Sequence, residues 1–169
     1  SQAGKAKVIT PELSTHFDED MIVLEKWIPK KPISAIYFDG EKERYYIKRF
    51  LVETENKEES FITEHPNSRL EIVSTDYRPV AELVFTKIKG VQKENMTVDV
   101  ASFIALKGFK ALGNQLTTDK LKQVNLLEPL PYEIPAEVIP EELEVKGETV
   151  VDDANIQLDD DGQITMSLE

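Results

Sequence analysis

The chain has 169 residues, no cysteine, two histidines (His16 and His65) in unrelated contexts, and a formal charge of −12. That length allows one domain with a real core plus a tail, and the composition excludes a disulfide framework and a thiolate metal site, so no cofactor is expected. With no cysteine, and with apolar runs no longer than four residues, such as Met21 to Leu24, the expectation is a reducing, cytoplasmic setting, with no signal peptide and no membrane span.

Thr10-Pro11-Glu12 reads as the cap of a short helical turn. In ISAIYFDGEKERYYIKRFLVE, residues 33–38 and 44–52 are rich in β-branched and aromatic side chains, and the loop between them opens on Asp39-Gly40, a hairpin signal. Period two puts Tyr46, Lys48, Phe50 and Val52 on one face and Tyr45, Ile47, Arg49 and Leu51 on the other, so this strand is expected to be covered on both sides. Lys48 and Arg49 then point opposite ways, with at least one reaching the rim. The polar stretch 53–68 reads as a long solvated loop. Residues 69–75, 79–87 and 96–106 read as strands divided by Asp76-to-Pro79 and Lys89-Gly90, and TTDKLKQV, from Thr117, suits either a helix starting at Thr118 or a strand. From about Leu130 the prolines multiply and aromatics end at Tyr132, which predicts a body over 1–132 and a flexible acidic tail over 133–169. Within the tail, NIQLDDDGQITMSL carries the pattern of a small terminal hairpin.

The charge is unevenly placed. Residues 133–169 hold twelve carboxylates against Lys146 alone, a net of −11, which leaves the body at −1. Within the body, residues 86–125 carry seven lysines against Glu94, Asp99 and Asp119, a net of +4. Candidate phosphate contacts are Lys107 and Lys110, then Lys87 and Lys89, then Lys48 and Arg49; such contacts position nucleic acid without reading its sequence. None of Tyr37, Tyr45, Tyr46, Tyr77 and Tyr132 has the arginine and acidic neighbours a nucleophile would need, so no catalytic residue is expected here. Asp159-Asp160-Asp161-Gly162 lacks the spacing of a calcium loop.

YYIKRF and FIALKGFKALGNQLT, together with the longer stretch over residues 15–50, resemble the C-terminal region of the A subunit of bacterial type II topoisomerases, over roughly residues 8–130. In that family the domain is a β-pinwheel, a propeller-like disc of four-stranded blades whose basic perimeter bends DNA. A segment K-G-x-K-A-x-G-x-x-L recurs at the blade edges. Lys107, Gly108, Lys110, Ala111, Gly113 and Leu116 match it, which would make the two glycines turn or close-approach positions and the lysines perimeter charges. The gyrase box Q-R-R-G-G-K-G is absent, so the likeness is to topoisomerase IV of the Bacteroides type more than to gyrase. The body has room for about two or three blades of an all-β fragment. The resemblance implies a non-catalytic module that holds or bends duplex DNA for strand passage, nucleoid-associated, working with the rest of the A subunit and a B-type ATPase subunit. A second reading is a protein-docking platform: Gln163, Met166 and Leu168 resemble the peptide by which bacterial proteins bind the sliding clamp.

Overall fold

The structure is a computed structural model that describes residues 1–54 and 56–134, all within the compact unit Ser1–Val138. The proposed tail hairpin and Gln163, Met166 and Leu168 lie outside the described residues. In chain order the elements are β1 (Lys5–Ala6), β2 (Ile33–Asp39), β3 (Arg44–Phe50), β4 (Glu59–Ser60), β5 (Arg69–Ser74), β6 (Val80–Phe85), β7 (Met96–Asp99), α1 (Val100–Phe103), β8 (Asn114–Thr117) and β9 (Leu121–Leu127). Among the described residues the fold is all-β apart from the one turn of α1. It comprises a four-stranded sheet β5-β2-β3-β8, a three-stranded sheet β7-β6-β9 and a two-stranded ribbon β1-β4, with every named strand pair antiparallel.

The β2–β3 hairpin sits at the centre because its alternation is apolar on both faces. Ile36, Tyr45 and Ile47 face the three-stranded sheet and join Leu83, Phe85 and Val124 in one core. Residues of the opposite parity, Ala35 and Phe50, join Val52, Phe61 and Phe109 in a second core on the other side. Phe50 is fully buried, its ring 5.0 Å from Phe61 and 5.5 Å from Phe109. The hairpin loop is closed by Asp39, whose Oδ1 accepts the amides of Glu41 and Lys42 at 2.9 Å and whose Oδ2 accepts the Thr63 hydroxyl at 2.6 Å. Burial of Asp39 opposes its charge, but these donors outweigh burial and hold its carboxyl below the usual range.

Three expectations are corrected. Residues 53–68 are not simply a solvated loop: β4 pairs with β1, and Phe61 inside this polar stretch fills the second core. The strand expected over 96–106 ends at Asp99, whose carboxylate accepts the Ser102 hydroxyl at 2.7 Å and two Arg78 nitrogens at 2.8 and 3.0 Å as the chain turns into α1. Near the N-terminus the hydroxyl that closes a turn belongs to Thr15, accepting the Glu12 amide at 2.8 Å, rather than to Thr10. The ambiguous TTDKLKQV resolves into strand, as β9. Past Leu127 the chain stays attached to the body: the Leu130 amide donates to Arg78 O at 3.0 Å, and the Tyr132 ring stacks on Tyr77 at 5.5 Å. Among the described residues no helix is long and apolar enough to cross a membrane.

Candidate nucleic-acid interface

Residues 107–117 run along the edge of β3. The Lys107 amide donates to Arg49 O at 2.7 Å, the chain then leaves the edge, and it returns at Asn114 to pair with Ile47 as β8. Between these points the loop is held from inside. Phe109 is driven into the second core, and the Lys48 ammonium donates to Phe109 O and, at 2.9 Å, to Phe61 O. The Tyr37 hydroxyl donates to Leu112 O. Gly113 has φ +85 and its missing Cβ would stand 2.4 Å from Ile47 O, so glycine is needed there twice over. Gly108 has open space about it and serves only to start a turn, its carbonyl accepting the Ala111 amide at 3.0 Å.

This geometry removes Lys48 and Arg49 from the candidate phosphate contacts. Lys48 is 1% exposed and Arg49 9%; neither reaches the rim. The reason is local: the face of β3 that carries Lys48 is roofed by Phe61 and Phe109, whose carbonyls give the ammonium partners inside, while Arg49 donates to Tyr77 O at 2.8 Å. Burial, with a smaller contribution from the charge of Lys110, pushes the Lys48 ammonium down to about 8. Lys48 is thus a cross-link between the 59–62 segment and the 107–113 loop, a role that the alternation of Tyr46, Lys48 and Phe50 hinted at by placing a cation on an apolar face.

Lys107 and Lys110 are both exposed, but they differ. Lys110 pairs with Glu59 at 2.8 Å, and Glu59 also meets Lys57 at 3.4 Å. The hydrogen bond from Lys110 is the main reason the Glu59 carboxyl is held low. Lys107 has no ion-pair partner among the described residues.

Four further exposed lysines flank the end of the three-stranded sheet where β6 stops and β9 starts. Thr86 donates its amide to Lys120 O at 2.9 Å, so the chain carrying Lys87 leaves β6 next to the residue that precedes β9. Lys122 sits at the β6–β9 register shift opposite Val84 and Phe85. Ile88 and Val91 bridge across Lys89-Gly90, a two-residue turn with φ +50 and +81 that projects Lys89 outward. Lys93 lies 4.3 Å over the Phe85 ring and binds the Asp119 carboxylate at 2.5 Å. Lys87, Lys89, Lys120 and Lys122 are exposed and have no ion-pair partner among the described residues. Lys87 and Lys89 thus lie on the segment leaving β6, and Lys120 and Lys122 on the segment entering β9, where the two strands meet, whereas Lys107 and Lys110 lie on the loop at the β3 edge. Lys120 and Lys122 are not singled out as site residues by the sequence, where they only add to the +4 segment; the β6–β9 pairing is what puts the start of β9 against the end of β6.

Among the described residues no group of three His, Asp or Glu side chains could hold a metal ion. Residues 1–128 match the model of the family described as the topoisomerase C-terminal domain of Bacteroidota, and the chain belongs to that family. No curated protein and no solved structure matches it.

Proposed function

We propose that this domain is a non-catalytic DNA-holding module of a topoisomerase IV-type A subunit, acting beside the rest of that subunit and a B-type ATPase subunit. The observation that carries this reading is the unneutralised cluster Lys87, Lys89, Lys120 and Lys122 on a chain whose family is a topoisomerase domain. Ammonium groups on an exposed turn and an adjacent strand end suit phosphates spaced along a duplex, and flexible point charges confer affinity without base readout. Family membership, the two packed sheets and the basic end are all compatible with a pinwheel perimeter that bends DNA.

The test is duplex binding as a function of salt. Replacing Lys87, Lys89, Lys120 and Lys122 with alanine is expected to flatten the log–log salt slope by about 3 to 4, at roughly 0.9 for each phosphate no longer neutralised, equally for duplexes of unrelated sequence. An unchanged slope would refute the reading.

A further inference from the structure

The segment that carries β4 and the 107–113 loop meet over the face of β3 that carries Lys48. Both are held from inside: Phe61 and Phe109 pack with Phe50 in the second core, and the Lys48 ammonium donates to the carbonyls of both. Glu59 is fixed further by its pairing with Ala6 of β1. The backbone under this carboxylate is therefore set.

On that frame the Glu59 carboxylate meets two cations, its Oε2 accepting from Lys110 Nζ at 2.8 Å while its Oε1 lies 3.4 Å from Lys57 Nζ. Two ammonium groups converging on one anionic group is also what a phosphate asks of lysine. The Glu59 side chain is only 25% exposed, and the hydrogen bond from Lys110 holds its carboxyl below the usual range, so it stays a charged partner at neutral pH. Lys57 and Lys110 are themselves exposed, which leaves both open to approach from solvent. An ion pair this near the surface holds loosely enough for a phosphate to displace it.

We propose that Glu59 is a built-in competitor for phosphate at Lys110: with the carboxylate in place the loop presents Lys107 alone, and a duplex recruits Lys110 and Lys57 only by displacing it. The inference rests on the DNA-holding reading. It adds an internal counter-ion that weakens one stretch of the interface.

The test is duplex binding by the full chain across salt concentrations, for Glu59→Gln, Lys110→Ala and the double variant. Glu59→Gln keeps the size of the side chain and removes its charge. It should tighten binding about threefold to tenfold at low salt and steepen the log–log slope by about 1, for the phosphate that Lys110 newly neutralises. In the Lys110→Ala background the same substitution should move the slope by less than about 0.3. Glu41→Gln, at an exposed residue with no ion-pair partner among the described residues, makes the same change in net charge and should leave the slope as it is. A natural chain that does not bind duplex would overturn this inference together with the reading beneath it. Binding that depends on Lys87, Lys89, Lys120 and Lys122 but is no steeper in Glu59→Gln would overturn the inference alone. So would a gain that survives Lys110→Ala or is matched by Glu41→Gln.

Discussion

Residues 87–93 and 107–113 are both exposed, lysine-bearing segments that turn at glycine, and they are held in different ways. The second is anchored from below by Phe109 in the core and by bonds from Lys48 and Tyr37 to its carbonyls, and one of its two lysines is paired with Glu59. The first is built on a two-residue turn tied to itself by Ile88 and Val91; Lys93 is paired with Asp119, while Lys87 and Lys89 are exposed without an ion-pair partner among the described residues. The difference teaches that a motif can mark where a chain is fastened rather than where it binds. In this molecule the motif-bearing loop is fastened to the core as well as carrying Lys107 and Lys110, whereas the turn at Lys89-Gly90 carries exposed lysines with no such anchor.

Substitutions sharpen that contrast, beginning with the latch. Phe50→Ala should cost about 3 to 5 kcal/mol, because its ring joins Phe61 and Phe109 with no solvent exposure. Thermal or urea melting reads this, and a loss below about 1 kcal/mol would mean that the second core does not hold the loop. Gly113→Ala and Gly90→Ala form a matched pair, since both positions have similar positive φ, +85 and +81. At Gly113 a Cβ would also strike Ile47 O, whereas at Gly90 nothing lies within 4 Å. Gly113→Ala should therefore cost well over ~2 kcal/mol and Gly90→Ala about 1. Equal losses would remove the distinction between latch and turn.

The next effect concerns pH. Lys48 has its pKa lowered from 10.5 to about 8 in the folded chain, so between those values the unfolded chain binds more protons and stability rises with pH. Below pH 8 the cost of keeping this ammonium buried is present in full, on the order of 3 kcal/mol. Lys48→Met removes the titration but leaves Phe61 O and Phe109 O without their donor. The variant should be less stable at about pH 7, by about 1 to 3 kcal/mol. Its deficit against the natural chain should widen as pH is raised from about 8 toward about 10. A constant deficit across that range would mean that Lys48 is not held low.

Much of this architecture is legible in the sequence. The two-sided alternation around Tyr46, Lys48 and Phe50 announces a strand covered on both faces, and Asp39-Gly40 announces its hairpin, because both signals are local. Phe61 escapes such a reading because one aromatic in a polar run carries no period; only the second core gives it a place. Lys48 and Arg49 escape it for a related reason. A cation on an apolar face normally snorkels out, and nothing local says that two backbone carbonyls from segments distant in sequence will close over it. The meeting of the end of β6 with the start of β9, at Thr86 and Lys120, depends on the β6–β9 register, which no single stretch encodes.

The central claim, that phosphate-available charge lies at the 87–93 turn and the start of β9 while the 107–113 loop is chiefly a latch, is tested most directly by comparing salt slopes of duplex binding for two double variants of equal charge change. Lys89→Ala with Lys120→Ala should flatten the slope by about 2, and Lys107→Ala with Lys110→Ala by about 1 or less, because Lys110 is already paired. The reverse order, with the 107/110 pair giving the larger change, would contradict the account.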